Sequence, residues 1–595
     1  MSFYSDASVV MIPSGYKTSK VYCAVPTDGA ADLSFSRSND TATRVGPDGL
    51  IEKVRTNLVT YSQAFDNAAW TKLDVSVTAN AAANPLDGES TADNIVPSVV
   101  SGGHYVNQSH TLTANVPYTI SVYAKANGYD WIYLYADGSG SGQYQLFNVS
   151  NGTLGLAAGT ATKTITAVGG GWYRCTLSWV PSVSGSIIFQ IAPLSSNSVS
   201  AFAGDGTSGV LFYAAQFETG DIATDYIATT TAAVSVGPVA NVPRLDYLNS
   251  SCPRLLLEPQ RTNSALYSEQ FDNSDWTKNN QSVTANNTTA PDGYSSADLL
   301  IPTAGTGDHY VLSSTVNNAS AQATTLSIFV KKKDHDYFYF GTGGASAFGA
   351  VVYRFSTNTF TVSGLGATAT NYGNGWIRLT ITGTTGATDL RMLFTPTDAT
   401  GSRTFNANGT DGTWIWGAQC ENSASYATSY IPTLGAAVTR GADDCVKTSA
   451  TSIIGQTEGV VYFEWEYQNV GSSGGNIVIS LDGGSGKELY FWVQTNGVYL
   501  TEGFDGSVNQ FSFTGAMGSF GTKKIAIAYK NNDFALYING VLAGTDTSGS
   551  VPTLDRLYVG RYFANTSYNI ASGIKQVLLF KTRLSNDSLA SLTSL

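Results

Sequence analysis

Apolar and polar residues alternate with a period of two along much of the chain. Thr119-Ile120-Ser121-Val122-Tyr123 alternates, and "YDWIYLY" (129–135) sets Ile132 and Leu134 on one side and Tyr129, Trp131, Tyr133 and Tyr135 on the other. That period belongs to a strand with one buried face. Near the C-terminus "VVYFEWEYQ" (460–468) alternates again. "LYFWVQTNGVYLTEG" (489–503) and "DFALYINGVLAGT" (533–545) each read as two strands around an Asn-Gly pair, a hairpin signal because both turn positions favour positive φ. Asp87-Gly88 and Asp292-Gly293 are further turn signals. The pattern predicts an all-β chain of antiparallel β-sandwiches, closed by one strand and a short helix that starts at Ser585 or Asp587.

The pattern also repeats. Arg55-Thr56-Asn57 returns as Arg261-Thr262-Asn263, and "TYSQAFDNAAWTK" (60–72) as "LYSEQFDNSDWTK" (266–278). His104-Tyr105-Val106 matches His309-Tyr310-Val311, "SVYAK" matches "SIFVK", "GGGWYRCTL" matches "GNGWIRLTI", and "AAQFE" matches "GAQCE". Order is kept and the offset drifts by only a few residues, so a whole domain is duplicated. The predicted layout is an N-terminal segment with a β-arm (1–57), a first repeat (58–232), a linker with a β-arm (233–263), a second repeat (264–440) and a C-terminal sandwich (441–595). Residues 1–57 are too short and too poor in apolar runs to fold alone.

Composition narrows the function. Charged residues are 13% and the net charge is −12. The one basic run, Lys331-Lys332-Lys333, is answered at once by Asp334 and Asp336, so nucleic-acid binding, which needs basic patches, is not expected. The five cysteines are odd in number, widely spaced and without a CxxC, which predicts buried free thiols rather than disulfides or zinc. No apolar run is long enough to span a bilayer, and the N-terminus lacks a basic region followed by an apolar core. A composition suited to the outside of cells, without an export signal, fits a virion protein that folds in the host cytoplasm and is released on lysis.

Candidate chemistry is sparse. Nucleophile elbow, P-loop, HExxH and EF-hand patterns are absent. No catalytic residue, metal or cofactor is expected. His104 and His309, just ahead of strands, read as fold-supporting. Glu464 and Glu466 stand two apart on one strand, at a spacing glycosidases use, but read as surface carboxylates with Phe463 and Trp465 in the core. The binding candidate is aromatic. Trp and Tyr rings stack on the apolar faces of sugars while their polar tips hydrogen-bond. Tyr129, Trp131, Tyr133 and Tyr135 share one strand face in the first repeat. His335, Tyr337 and Tyr339 do so in the second, with Phe338 and Phe340 inward. The alternative is that these rings cover a second sheet or pack on a neighbouring subunit.

The ordered set "RTN", "YSQAFDNAAWTK", "SVYAK", "GWYR", "AQFE" and "TDYI" resembles the carbohydrate-binding-module-like jelly-roll repeats of bacteriophage tail and head fibre-like proteins. "ATSYIPTLGAAVTRGADD" (427–444) is similar to phrases of that class, and "FALYINGVLAG…RLYVGRY…VLLFKTRLSNDSLASL" resembles laminin-G/concanavalin-like domains. The resemblance implies a non-enzymatic, homo-oligomeric virion protein. It would dock on other virion proteins through its N-terminal segment and bind host-surface glycans, without nucleic-acid binding or membrane insertion. A purely structural capsid or tail decoration protein is the alternative, and a polysaccharide depolymerase a third.

Overall fold

Asn57 and Asn263, which open the two copies, each close a sandwich by the same four hydrogen bonds. The Asn57 amide donates to the Ala215 and Ile227 carbonyls (3.1 and 2.8 Å), and its oxygen accepts from Val59 and Phe217 N–H (both 3.1 Å). Asn263 does the same with Ala418, Ile431, Ala265 and Cys420. The computed structural model describes residues 3–594 except 138–141, 200, 318–320, 346, 363–364, 387–388, 469–474, 507, 564–569 and 571. The chain forms two compact units, Val54–Gly237 and Met1–Lys53 with Pro238–Leu595.

In Val54–Gly237, two six-stranded antiparallel sheets face each other across one core. One runs in the order Thr162–Gly169, Trp172–Trp179, Tyr118–Asn127, Gly209–Thr219, Ser90–Pro97, Val75–Ala83. The other runs Thr153–Ala158, Gln143–Asn148, Trp131–Asp137, Gly185–Leu194, Tyr105–Leu112, Thr71–Leu73. The repeated Phe-Asp-Asn…Trp-Thr-Lys stretch is architectural. Phe65 and Trp70 are buried with ring centroids 4.9 Å apart, the Trp70 indole N–H donates to Tyr61 O (3.0 Å), and Asp93 accepts the Phe65 N–H (2.8 Å). Phe271, Trp276, Tyr267 and Asp298 repeat the arrangement. The "AQFE" and "TDYI" phrases meet where Gln216 accepts the Ile227 N–H (2.8 Å) and Glu218 the Thr224 N–H (3.0 Å).

The other unit holds the second repeat and the C-terminal sandwich. The second repeat's sheets run Gln281–Thr288, Ala297–Pro302, Thr413–Asn422, Ala323–Lys332, Trp376–Thr384, Gly366–Asn371, and Thr277–Asn279, Tyr310–Leu312, Arg391–Thr397, Tyr337–Gly343, Ala350–Arg354, Thr359–Val362. The C-terminal sandwich is where the structure departs most from the sequence reading. Its sheets recruit the segments read as an N-terminal arm and a linker. Val9–Met11, fully buried, pairs with Ser572–Phe580, and Leu33–Ser36 pairs with Asp444–Lys447. The hairpin Arg244–Asp246/Arg254–Leu257 extends the same sheet as Val9–Met11. The N-terminal strands are thus core elements of this sandwich.

Two hairpins differ in detail. Asn539 and Gly540 both have positive φ (48° and 80°), as the Asn-Gly signal predicts. At 496–497 only Gly497 does (φ 76°), because the turn is wider and Gln494 N–H bonds Val498 O (2.8 Å). The terminal helix Asn586–Ser594 is capped by Ser585, whose hydroxyl accepts the Ser588 N–H (3.2 Å). Leu589 and Leu592 cover Tyr462, Tyr537 and Leu578 on the outer face of one sheet.

A buried ionic cluster ties this unit together. Arg37 bonds Asp443 (3.0 Å), Arg244 bonds both Asp443 and Glu258 (2.7 Å to Glu258), and Arg440 bonds Glu258 (2.8 Å). Burial alone would lift the Glu258 carboxyl, but Arg440 and Arg244 outweigh it and hold it well below the usual carboxylate range.

Two predictions follow from these cores. Trp276→Ala should cost about 3–5 kcal/mol, as aromatic truncations in packed cores do; an unchanged melting temperature contradicts this. His110, against Phe217 with its Nε2 unpartnered, is pushed by burial down to about 4. Its folded value lies below the unfolded 6.5, so its contribution is complete above pH 6.5 and is lost as pH falls toward 4. Relative to His110→Phe, the wild-type Val54–Gly237 unit should lose up to about 3 kcal/mol over that window. Parallel pH–stability curves for the two proteins refute it.

Candidate functional site

The strand Trp131–Asp137 lies between Gln143–Asn148 and Gly185–Leu194, so its outward side chains sit mid-sheet. Ile132, Leu134 and Ala136 point into the core and are fully buried, while Trp131, Tyr133 and Tyr135 are half-buried on the outer face. Tyr133 stacks on Tyr135 (5.4 Å, 28°) and leans on Tyr144 (5.4 Å), a ring supplied by the neighbouring strand opposite Tyr135. Leu146, Ala192 and Leu194 form an apolar floor in register with Tyr133 and Trp131. Trp131 packs closely over residue 155, a glycine, where a Cβ would come within 2.4 Å of its ring. Tyr129 falls outside this group. The strand begins after it, and its ring packs edge-on to Phe202 (5.8 Å) while its hydroxyl accepts from Asp205 N–H (3.3 Å).

The second repeat keeps the strand but places arginines over its outward rings. Phe338 and Phe340 are buried, and Tyr337 and Tyr339 are half-buried outward, as the alternation predicts. The Arg354 guanidinium lies over Tyr337 (5.2 Å), and that of Arg403 over both Tyr339 (5.2 Å) and Tyr310 (5.4 Å). Asp336 and Asp308 hold these arginines (3.0 and 3.3 Å). Cation–π contacts occupy the ring faces a sugar would use. His335 precedes the strand, its Nδ1 on the Thr397 carbonyl (3.0 Å) and its ring against Phe405. Sequence reasoning missed Tyr144, Arg354 and Arg403, whose signal is a cross-strand register that no single run of residues displays.

The remaining candidates are structural. His104 is buried with both ring nitrogens on main-chain carbonyls, Asp74 at 2.7 Å and Phe202 at 2.9 Å, and His309 repeats this with Asn280 and Phe405. Glu464 is half-buried rather than fully solvent-facing. Glu466 is not a surface carboxylate either. Its side chain is 13% exposed and bonded to Arg254 and Lys575. A second acidic pair lies on the C-terminal sheet, where Glu488 accepts the Tyr562 hydroxyl (2.7 Å) and Glu502 that of Tyr490; burial raises the Glu488 carboxyl. Cys23, Cys175, Cys420 and Cys445 are buried free thiols, whereas Cys252 is exposed. Among the described residues no group of three or more His, Cys, Asp or Glu is placed to hold a metal, and no helix is long and apolar enough to cross a membrane.

No protein-family profile matches the chain, and no curated protein matches it. Among solved structures it is similar to the CBM40 domain of the Ruminococcus gnavus IT-sialidase bound to alpha2,3 sialyllactose, at 15% identity over 24% of this chain and 87% of that one, with a TM-score of 0.21. It is also similar to the CBM22-1–CBM22-2 tandem of Paenibacillus barcinonensis Xyn10C (12% identity, 61% and 97% covered, TM-score 0.18). A third is domain 4 of AbnA, a GH43 arabinanase from Geobacillus stearothermophilus in complex with arabinotriose (13% identity, 29% and 81% covered, TM-score 0.22).

The geometry separates platform from core. Trp131→Ala removes a ring from the outer face, so the unit's stability should change by less than about 1 kcal/mol. A loss approaching the cost of a core tryptophan would show that the ring is packing.

Proposed function

We propose that this chain is a non-enzymatic bacteriophage virion protein, a tail or head fibre-like appendage. In this reading it attaches to host-surface glycans through the first repeat. The observation that carries the binding reading is the platform of Trp131, Tyr133, Tyr135 and Tyr144 over an apolar floor. Aromatic faces of this kind stack on pyranose C–H groups, each for about 0.5–1.5 kcal/mol beyond burial. The virion reading is supported by the resemblance of the quoted phrases and by a composition suited to the outside of cells. Display as a homo-oligomer in many copies would raise weak single-site affinity by about 10²–10⁴.

The test is a glycan array that includes sialyllactoses and arabino-oligosaccharides, probed with the wild type, Trp131→Ala/Tyr133→Ala and Tyr337→Ala/Tyr339→Ala. The first pair should weaken binding about tenfold or more. The second pair should leave it unchanged, because arginines already cover those rings. A folded wild type that binds no glycan supports the purely structural reading instead. Release of reducing sugar that Glu488→Gln abolishes would overturn the non-enzymatic reading. Mass spectrometry of purified particles tests the virion assignment.

A further inference from the structure

The outer face of the second repeat's larger sheet lines a cleft of about 940 Å³, walled on other sides by the 244–258 hairpin and the C-terminal sandwich. Cavities that hold small ligands run to about 300–1,000 Å³. Its floor is a set of cross-strand pairs, Thr368 with Thr380 and Thr370 with Arg378, on the face opposite the buried Leu379 and Ile381. The hydroxyls of Thr368, Thr370 and Thr380 make no hydrogen bond to another described residue. In the first repeat the matching Thr164 and Thr176 satisfy each other at 2.5 Å.

The charges around these hydroxyls are committed. Arg44 is paired with Glu52 (2.7 Å), Arg254 with Asp246 (2.8 Å) and Glu466, and Lys575 with Glu466 (3.3 Å). Arg378 donates to Ser327 Oγ and to the Thr428 carbonyl (2.7 Å). An anionic ligand would have to take a cation from an existing pair or draw Arg378, which is in no ion pair among the described residues, away from these neutral acceptors, and an apolar one would strand three hydroxyls. Phe520, 62% exposed and packed at a steep angle to Tyr467 (4.9 Å), adds an aromatic ring to the lining.

We propose that this cleft binds a neutral oligosaccharide, whose hydroxyls meet Thr368, Thr370 and Thr380 while a sugar face stacks on Phe520. The site is independent of the platform on the first repeat. The test therefore uses the full chain carrying Trp131→Ala and Tyr133→Ala, so that failure of the platform reading does not touch it. Hydrogen exchange is followed by mass spectrometry with millimolar maltohexaose, cellohexaose or xylohexaose, and with a hyaluronan hexasaccharide as the anionic comparison. At least one neutral hexasaccharide should protect residues 366–382, and hyaluronan should not. Thr368→Val with Thr380→Val keeps β-branched shape in the strands and should weaken that binding about tenfold or more. Phe520→Ala, at an exposed ring, should do so without affecting folding. Protection by none of the neutral sugars, protection by hyaluronan alone, or binding that survives both sets of substitutions overturns the proposal.

Discussion

Three arginines and two carboxylates are buried together in the larger unit, and its architecture depends on them. Arg37 comes from the N-terminal segment, Arg244 and Glu258 from the hairpin segment, and Arg440 and Asp443 from the exit of the second repeat. Stripping five charged groups of water is expensive, and such a cluster is tolerated only when every partner is in place. Carbonyls of Pro238, Val239 and Pro259 accept further guanidinium N–H groups of Arg37 and Arg440, while Nε of Arg244 and of Arg440 is buried with no hydrogen-bond partner among the described residues. The arrangement therefore specifies one docking of three chain segments far apart in sequence, since any other would leave a charge alone.

The two copies have diverged around this constraint. In the short ladder that ends each repeat, Arg440 stands opposite Arg261, and Val236 stands opposite Arg55 in the same place of the first copy. Glu269 takes a salt bridge from Lys53 (2.8 Å), whereas the matching Gln63 is neutral and donates to Tyr213 (2.7 Å). The second copy is charged where it must be built into a larger body. Its aromatic strand is likewise covered by Arg354 and Arg403, while in the first copy Tyr133 stacks on Tyr135 and leans on Tyr144.

Much of this was legible in the alternation and the repeat. Buried Ile132, Leu134, Phe338 and Phe340 sit where a period of two puts them, and Trp70 and Trp276 occupy matching cores. The recruited strands were not legible. Val9–Met11 and Arg254–Leu257 span three and four residues, too few to show a period, and Val9–Met11 pairs with a strand more than 500 residues on. The candidate aromatic face was half legible. The rings on one strand could be read directly, but Tyr144, the glycine under Trp131 and the arginine caps belong to neighbouring strands and loops. Tyr129 matched the parity yet lies before the strand starts, where alternation no longer governs direction.

Native-state hydrogen exchange on Asp443→Asn bears most directly on the cluster's role. If the cluster holds the larger unit as one body, Val9–Met11, Arg254–Leu257 and Val438–Arg440 should lose protection together, by about 3–5 kcal/mol. Amides of Gly209–Thr219 in the other unit should be unaffected. Loss confined to the residues beside position 443, with Val9–Met11 still fully protected, would contradict that role.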